Sequence, residues 1–145
     1  LIADEPTTAL DVTIQAQVLD LIYRLRQQQG TSLILITHDL GIVAENCDDV
    51  AIVYAGEIVE SGTKEHIFNE TAHPYTKGLF GALPDMAGGK EKLKPINGLP
   101  PDPTNMPYGC KFHPRCPHAT ERCRMEEPGM RQLSPGHFTR CFIDL

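Results

Sequence analysis

The sequence predicts an α/β protein with a mainly parallel sheet and helices, followed by an irregular extension rich in proline and cysteine. Short apolar runs of strand length alternate with a segment whose apolar residues recur at helical spacing, which predicts the first part. Ten of the twelve prolines and four of the five cysteines lie at or after residue 84, which predicts the second. We therefore expect three parts, residues 1–83, a Pro/Gly-rich linker over 84–105 and a cysteine-rich extension over 106–145.

The first strand is an apolar run that ends in two adjacent carboxylates, Asp4 and Glu5. A buried strand has no use for a carboxylate unless a cation or a reacting water meets it, because an unpaired buried charge is costly. Asp4 is therefore predicted to hold Mg²⁺, and Glu5 to act as the base that orients an attacking water. The alternative is an ordinary solvated strand end.

A helix is predicted next, with Asp11 as its cap and Gly30 as its end. Its apolar stripe is expected to be core. The run Ser32–Ile36 then predicts a strand buried on both faces, which completes a βαβ unit. The stripe consists of Ile14, Val18, Leu21, Ile22 and Leu25.

The following segments predict two short helices around a hairpin. A helix over Leu40–Asn46 should turn Ile42 and Val43 inward. The hairpin should turn at Ala55-Gly56, with glycine supplying a positive φ. Its strands are expected over Val50–Tyr54 and Glu57–Glu60, Ser61-Gly62 should end the second strand, Thr63 should cap a helix, and His73-Pro74-Tyr75 should open another.

Composition argues against a membrane-spanning segment and against a nucleic-acid partner. No apolar run approaches the roughly 20 residues that cross a bilayer. The 13 Lys and Arg residues against 19 Asp and Glu give a net charge of −6, and no basic stripe is present. Nucleic acid is therefore not expected as a partner.

Three motifs carry a resemblance to a known family. The run from Leu1 to Thr7, followed by Ala9-Leu10-Asp11, resembles the Walker B strand and D-loop of an ATP-binding cassette (ABC) ATPase. The run Ile34–Asp39, which contains His38, resembles the switch-histidine strand of the same family. His73-Pro74-Tyr75-Thr76 is similar to a motif of the subfamily that drives import of oligopeptides, dipeptides or nickel. Residues 1–83 would then be the C-terminal half of a P-loop ATPase core.

The resemblance implies a role for each site residue in an intact subunit. Asp4 would coordinate Mg²⁺, Glu5 would polarise the water that attacks the γ-phosphate of ATP, and His38 would contact that phosphate. Asp11 would reach across a head-to-tail dimer with a second, homologous ATPase subunit. The resemblance further implies membrane permease subunits as partners and a peripheral location on the cytoplasmic face of the cell membrane.

The phosphate-binding half of such a site has no counterpart in this sequence. No G-x-x-x-x-G-K-[S/T] loop and no L-S-G-G-Q-like signature is present. Since Leu1 already belongs to a strand, an N-terminal part is expected to be missing, and the chain alone is expected to be inactive. A central parallel strand with an open edge also predicts self-association of the chain.

Four cysteines in the last part of the chain predict a metal centre. Cys110, Cys116, Cys123 and Cys141 have the spacing C-x5-C-x6-C-x17-C in a segment poor in aliphatic residues. Disulfides are the alternative, but thiols of a cytosolic ATPase stay reduced. Thiolates select zinc or an iron–sulfur cluster. The family resemblance favours a four-iron four-sulfur (4Fe-4S) cluster over zinc. His113, His118 and His137 are expected near the centre or at the surface, and the alternative is that one of them replaces a cysteine in a zinc site.

Three other interpretations are open. A stand-alone cysteine-rich metal-binding regulatory module would explain the missing phosphate loop. An importer ATPase for nickel or another solute would share the same motifs. An ATPase of the DNA-repair type would carry long coiled coils in place of the cysteine tail, which makes it the weakest of the three.

Overall fold

The computed structural model describes residues 1–82 and 95–144. Two compact units are present, residues 1–47 and the chain from residue 48 onward. Parallel and antiparallel strand pairs both occur beside helices, so the mixed α/β class is confirmed. The prediction of a mainly parallel sheet does not hold for the described residues, because three of their four strand pairs are antiparallel. The predicted division at residues 83 and 105 follows composition and stays a prediction.

The first unit is the predicted βαβ arrangement. Strands β1 (Ile2–Asp4) and β2 (Ile34–Ile36) pair in parallel, with Asp4 opposite Ile36. Helix α1 (Val12–Gln29) connects them, and α2 (Leu40–Asn46) follows. Because the two strands are parallel, both have their carboxyl ends at the same edge of the sheet.

Capping side chains fix the ends of both helices in this unit. The Asp11 carboxylate accepts hydrogen bonds from the N–H groups of Thr13 and Ile14, each at 3.0 Å, and Gly30 ends α1 with φ of 60°. Asp39 caps α2 in the same way. The predicted limits of α1 and α2 are therefore confirmed within a residue.

Burial in the first unit is lower than predicted. Strand β2 is exposed or half-buried along its length, and no residue of α1 is fully buried. Leu21, in the predicted core stripe, remains 57% exposed. Two short strands and one short helix offer too little surface within residues 1–47 to cover an 18-residue helix. Ile42 and Val43 of α2 are buried as predicted.

The second unit is built on a four-stranded antiparallel sheet of order β3-β4-β6-β5. Strand β4 lies between β3 and β6, so a strand from the cysteine-rich extension pairs directly with the hairpin. The strands are β3 (Asp49–Tyr54), β4 (Glu57–Thr63), β5 (Arg131–Ser134) and β6 (His137–Thr139).

The hairpin turn has the predicted conformation, but its second strand does not end where expected. Ala55 has φ of 49° and Gly56 φ of 80°, two positive values of the kind that suit a tight hairpin. The prediction that Ser61-Gly62 ends the strand is wrong. β4 continues to Thr63, because Gly62 pairs with Val50 on one side and Ser61 pairs with Phe138 on the other.

Two short helices follow the hairpin, and the extension contains further helical segments. Helix α3 (Lys64–Asn69) is capped by Thr63 as predicted, and α4 (Pro74–Gly81) begins at the predicted His-Pro-Tyr turn. The extension contains α5 (Glu121–Met125), a 3-10 turn at His113–Arg115, and strands β5 and β6. It is therefore more regular than predicted.

An aromatic cluster forms part of the core of the second unit. Phe112 is 2% exposed, and its ring centroid lies 5.2 Å from that of Tyr54 and 5.4 Å from that of Tyr75. These separations suit tilted and edge-on aromatic pairs. The cluster joins β3, α4 and the segment that carries the cysteines. Further buried side chains are Ile52, Val59, Ile67 and Phe80.

Two remaining predictions concern the linker and the membrane. Residues 84–94 of the predicted linker lie outside the described residues, and 95–105 contain neither helix nor strand. Among the residues that the structure describes, no helix combines the length and apolarity needed to span a bilayer.

Candidate functional site

The ends of β1 and β2 bring Glu5 and His38 together. The N–H of Glu5 donates to the carbonyl of Ile36 at 2.9 Å, which continues the parallel ladder by one residue. The Nδ1 atom of His38 lies 2.9 Å and 3.0 Å from the two carboxylate oxygens of Glu5. Two residues that are 33 positions apart in sequence thus meet at one edge of the sheet.

Each member of this pair favours the charged form of the other. The hydrogen bond from His38, followed by one from Thr8, lowers the pKa of Glu5 below its ordinary value. The hydrogen bond to Glu5 raises the pKa of His38 above its ordinary value. The His38 side chain is 80% exposed, so solvent screens the pair and it contributes little to stability.

Glu5 has an unusual backbone and a second partner. Its φ is 46°, a left-handed value that a non-glycine residue seldom adopts and that is often found at functional sites. The Thr8 hydroxyl donates to its carboxylate at 2.7 Å. Thr8 was not singled out from the sequence, where only its place in the turn after Pro6 marks it.

The other two predicted residues of this site have distinct positions. Asp4 is the last residue of β1 and is exposed. Asp11 is the cap of α1, and one of its carboxylate oxygens, Oδ1, accepts both capping hydrogen bonds. Asp4 therefore immediately precedes Glu5 at the end of β1. Asp11 has a structural role in this chain, as the cap of α1.

The four predicted cysteines line one pocket of the second unit. Its walls are otherwise largely apolar, and they include the imidazole of His73. Cys47 is not among the lining residues. The lining residues are Cys110, Cys116, Cys123, Cys141, His73, Pro74, Phe112, His113, Pro128, Phe142 and Ile143.

Hydrogen-bonding groups lie beside two of the four sulfur atoms, and backbone groups moderate the pKa of the other two cysteines. The backbones of Phe112 and His113 lower the pKa of Cys110, and that of His118 lowers the pKa of Cys116, each against a larger effect of burial. The N–H of Ile143 donates to the sulfur of Cys141 at 3.4 Å, and the Thr120 hydroxyl lies 3.3 Å from the sulfur of Cys123. Such donors stabilise thiolates and tune metal centres that are bound through sulfur.

Burial works against the thiolate form in this pocket. It raises the pKa of Cys116 to about 11, and it raises the pKa of Cys110 and Cys141 above their ordinary value. Repulsion among the neighbouring cysteines raises these pKa values further. A cation in the pocket would reverse this balance, because a bound metal deprotonates the thiols that ligate it.

Gly109 allows two cysteine segments to approach each other closely. Its φ is 73°, and a Cβ atom at this position would lie 2.6 Å from the carbonyl oxygen of Cys123. The N–H of Cys110 donates to that same carbonyl at 2.9 Å. A side chain at residue 109 would therefore push Cys110 away from Cys123.

The donor chemistry fits a thiolate-bound centre, although the side chains are not gathered around a single ion. Within residues 1–82 and 95–144, no group of three or more His, Cys, Asp or Glu side chains is arranged to hold a metal ion. A zinc ion with Zn–S bonds of about 2.3 Å requires its thiolates in mutual contact. The predicted metal centre therefore rests on donor type and on the shared pocket.

Sequence reasoning missed a buried polar group beside this pocket. Glu60 of β4 is 0% exposed and accepts three hydrogen bonds. Its donors are the N–H of Ala72 at 2.7 Å, the N–H of His73 at 3.0 Å and Nε2 of His137 at 3.0 Å. No local sequence signal predicts it, because His137 is 77 residues away.

His73 is also buried, with 1% of its surface exposed. Its Nδ1 accepts a hydrogen bond from the N–H of Tyr75 at 3.1 Å, so it is the cap of α4, and the predicted position at the helix start is confirmed. Burial lowers the pKa of His73 to about 4, partly offset by Glu60 and by a hydrogen bond with the Arg140 backbone. The imidazole is therefore neutral at physiological pH.

Comparison with known proteins shows which proteins this chain is similar to. Residues 59–123 match the family described as "Oligopeptide/dipeptide transporter, C-terminal region". This match includes the His-Pro-Tyr turn and three of the four pocket cysteines.

Curated relatives extend the similarity to the whole chain. It is 49% identical over 145 residues to the dipeptide transport ATP-binding protein DppD of Escherichia coli, covering 100% of this chain and 44% of the relative. It is 50% identical over 143 residues to the oligopeptide transport ATP-binding protein AppD of Bacillus subtilis, covering 99% and 44%. Against the oligopeptide transport ATP-binding protein OppD of Salmonella typhimurium the identity is 46% over 142 residues, covering 98% and 42%.

The chain is therefore similar over nearly its whole length to part of the ATP-binding proteins named for dipeptide and oligopeptide transport. It spans less than half the length of these relatives.

Proposed function

We propose that this chain is the part of a peptide importer's ATP-binding subunit that follows the phosphate-binding loop and supplies the groups that activate water. In this assignment, residues 1–83 belong to the C-terminal half of a P-loop ABC ATPase core, and the remainder is its cysteine-rich extension. The observation that carries the proposal is the Glu5–His38 contact at the ends of two adjacent parallel strands. The identity with peptide-transport subunits supports it.

Each residue of the site has a role in this proposal. Asp4 would hold the Mg²⁺ that neutralises charge on the phosphates of ATP. The Glu5 carboxylate would orient the attacking water and accept its proton, and its lowered pKa keeps it ionised for that role. His38 would hold the water in line while its Nε2, on the ring side away from Glu5, meets the γ-phosphate.

The proposal implies partners that this chain does not contain. A second, homologous ATPase subunit would face this one head to tail, with Asp11 at the contact. Membrane permease subunits would bind the pair on the cytoplasmic face of the cell membrane. On its own, the chain would self-associate through the open edge of its parallel strands.

The four cysteines would hold a 4Fe-4S cluster, with zinc as the alternative. The shared pocket and the hydrogen-bonding groups beside the sulfurs of Cys123 and Cys141 support a centre bound through thiolates. Such a centre supplies structural order and, as a cluster, a site for electron transfer. Metal analysis after anaerobic purification separates the two, because iron with acid-labile sulfide indicates the cluster and stoichiometric zinc indicates a zinc site.

The catalytic part is tested in the complete subunit assembled with its permease. Glu5→Gln should retain ATP binding and lose turnover, since the amide cannot accept the proton from water. His38→Ala should behave in the same way, and exposed Glu45→Gln serves as the control with unchanged turnover. Full ATPase activity in Glu5→Gln would refute the assignment. For the chain alone, calorimetry should detect no micromolar binding of ATP.

One observation favours a second function, a metal-binding regulatory module. All lining residues of the cysteine pocket belong to the unit that begins at residue 48, whereas Glu5 and His38 belong to the unit of residues 1–47. If variants that lack the cysteines retained full ATP-driven transport but no longer responded to metal or redox conditions, regulation would be the role of this unit.

A further inference from the structure

We propose that Thr8 is a positioning residue for Glu5, and that it gives different tasks to the two oxygens of the Glu5 carboxylate. Its hydroxyl would fix the oxygen Oε2 and leave Oε1 to meet the attacking water. This inference rests on the proposed function and deepens it, because it states how the water-activating carboxylate is held. Thr8 would act through Glu5 rather than on the water itself.

The two oxygens of the Glu5 carboxylate have different partners. The Thr8 hydroxyl donates to Oε2 at 2.7 Å, and Nδ1 of His38 lies 3.0 Å from the same atom. Oε1 lies 2.9 Å from Nδ1 of His38, which is its one hydrogen-bond partner among the described side chains. A carboxylate oxygen can accept two hydrogen bonds, so Oε2 is fully engaged whereas Oε1 retains one acceptor position.

A tight turn places Thr8 next to the carboxylate. The N–H of Thr8 donates to the carbonyl of Glu5 at 3.2 Å, so residues 5–8 form a β-turn that is closed by a backbone hydrogen bond. A second bond, from the N–H of Leu10 to the carbonyl of Thr7 at 3.2 Å, continues the bend. The hydroxyl of Thr8 therefore reaches Glu5 with little loss of conformational freedom beyond that of the turn itself.

Without this hydroxyl, the carboxylate would be held from one side only. The terminal torsion of a glutamate side chain has broad minima, so a single contact with His38 fixes its orientation poorly. The His38 side chain is also 80% exposed, which opens that contact to competition from water. Two hydrogen bonds from different directions restrict the rotation, and misplacement of a reacting group by about 1 Å can cost about 100-fold in rate.

The exposure of Thr8 separates this role from a role in folding. Thr8 is exposed, and the Glu5 side chain is 38% exposed. Hydrogen bonds between groups that water can reach contribute little to the free energy of unfolding, so loss of the hydroxyl should leave the fold intact. A loss of turnover would then report on the orientation of the carboxylate.

The test is Thr8→Val in the complete subunit assembled with its permease, because valine keeps the β-branched shape and removes the donor. We expect kcat to fall by about 10–100-fold, while KM and the ATP affinity measured by calorimetry stay within about threefold of wild type. Thr8→Ser keeps the hydroxyl and should restore kcat to within about threefold of wild type.

A spectroscopic measurement tests the hydrogen bond without turnover. The NMR signal of the Glu5 carboxyl carbon, identified by its absence in Glu5→Gln, should shift in Thr8→Val at neutral pH and return in Thr8→Ser. The matched control is Thr31→Val, the same change at an exposed residue between α1 and β2. Thr31 precedes the amino end of β2, at the opposite edge of the sheet from Glu5, so its substitution should alter neither the signal nor turnover.

The results of these variants separate the inference from the proposed function. Wild-type kcat in Thr8→Val, beside an inactive Glu5→Gln, would overturn the inference and leave the proposed function standing. Full activity in Glu5→Gln would overturn both. An equal loss in Thr8→Ser and Thr8→Val, or a loss of ATP affinity in Thr8→Val, would also overturn the inference, because the hydroxyl would then not act through Glu5. If Thr8→Val does not fold, Thr8→Ala replaces it with the same expected results.

Discussion

Replacement of Glu60 by alanine should destabilise the second unit by about 3–5 kcal/mol, the cost of breaking a buried charged network by removing one partner. The carboxylate is fully buried and accepts two backbone N–H groups and the Nε2–H of His137. Alanine leaves these three donors without an acceptor. Each hydrogen bond to a charged group contributes about 1.5–3 kcal/mol, so the three bonds together can exceed the expected cost. Water that enters the vacated site would hydrogen-bond to the donors and make up the difference.

Glu60→Gln separates the charge from the hydrogen bonds. The glutamine carbonyl can still accept from Ala72 and His137, but its NH₂ group then faces the N–H of His73, donor against donor. The expected cost is about 1–3 kcal/mol, smaller than for alanine.

Urea denaturation followed by circular dichroism measures these changes, with exposed Glu70→Gln as the control within about 0.5 kcal/mol. If Glu60→Ala were no less stable than the control, the hydrogen bonds to Glu60 would contribute nothing to the free energy of unfolding, and this reasoning would be refuted.

Further predictions concern the two sites. The pKa of His38, measured by NMR, should lie above its ordinary value of 6.5 and should fall in Glu5→Gln. In the wild type, the stabilisation from the Glu5–His38 pair should be present between pH 4.5 and 6.5. It should fade as Glu5 is protonated at lower pH and as His38 is deprotonated at higher pH. No change in the His38 titration would contradict the pairing. Metal affinity of the cysteine pocket should rise with pH, because thiols such as Cys116, with a pKa of about 11, must release protons; a pH-independent affinity would argue against thiolate ligation. Gly109→Ala should lower both metal affinity and unfolding midpoint, whereas Gly129→Ala, where an added Cβ meets nothing within 4 Å, should change neither.

Local signals predicted the helices and the hairpin well. Asp11 and Gly30 set the limits of α1, Thr63 caps α3, and Ala55-Gly56 turns the hairpin, because caps and tight turns depend on residues within a few positions of one another. The pairing of β1 with β2 followed from the βαβ pattern. The Glu5–His38 contact was implied once both residues had been placed at strand ends.

Non-local pairings could not be predicted in the same way. Strand β6 has only three residues, too few to show a periodicity, and its two buried side chains, His137 and Thr139, are polar. It pairs with Glu60 and Ser61 of β4 across about 80 residues. Ser61 and Gly62 also pair with β3, so the strand does not end at them. The same long-range contact buries Glu60, which in isolation resembles a solvent-facing residue at a strand end.

The central position of β4 determines where the chain can be divided experimentally. A truncation at residue 105, where composition changes, would remove β5 and β6 together and leave the Val59 carbonyl without the N–H of Arg140. Glu60 would lose His137 in the same step. Chimeras with similar proteins should therefore exchange at residues 47 and 48, which leaves each strand pair that the structure describes within one parent. Proteolytic removal of the tail would destabilise the hairpin as well, so in limited digestion the hairpin should be cleaved together with the tail.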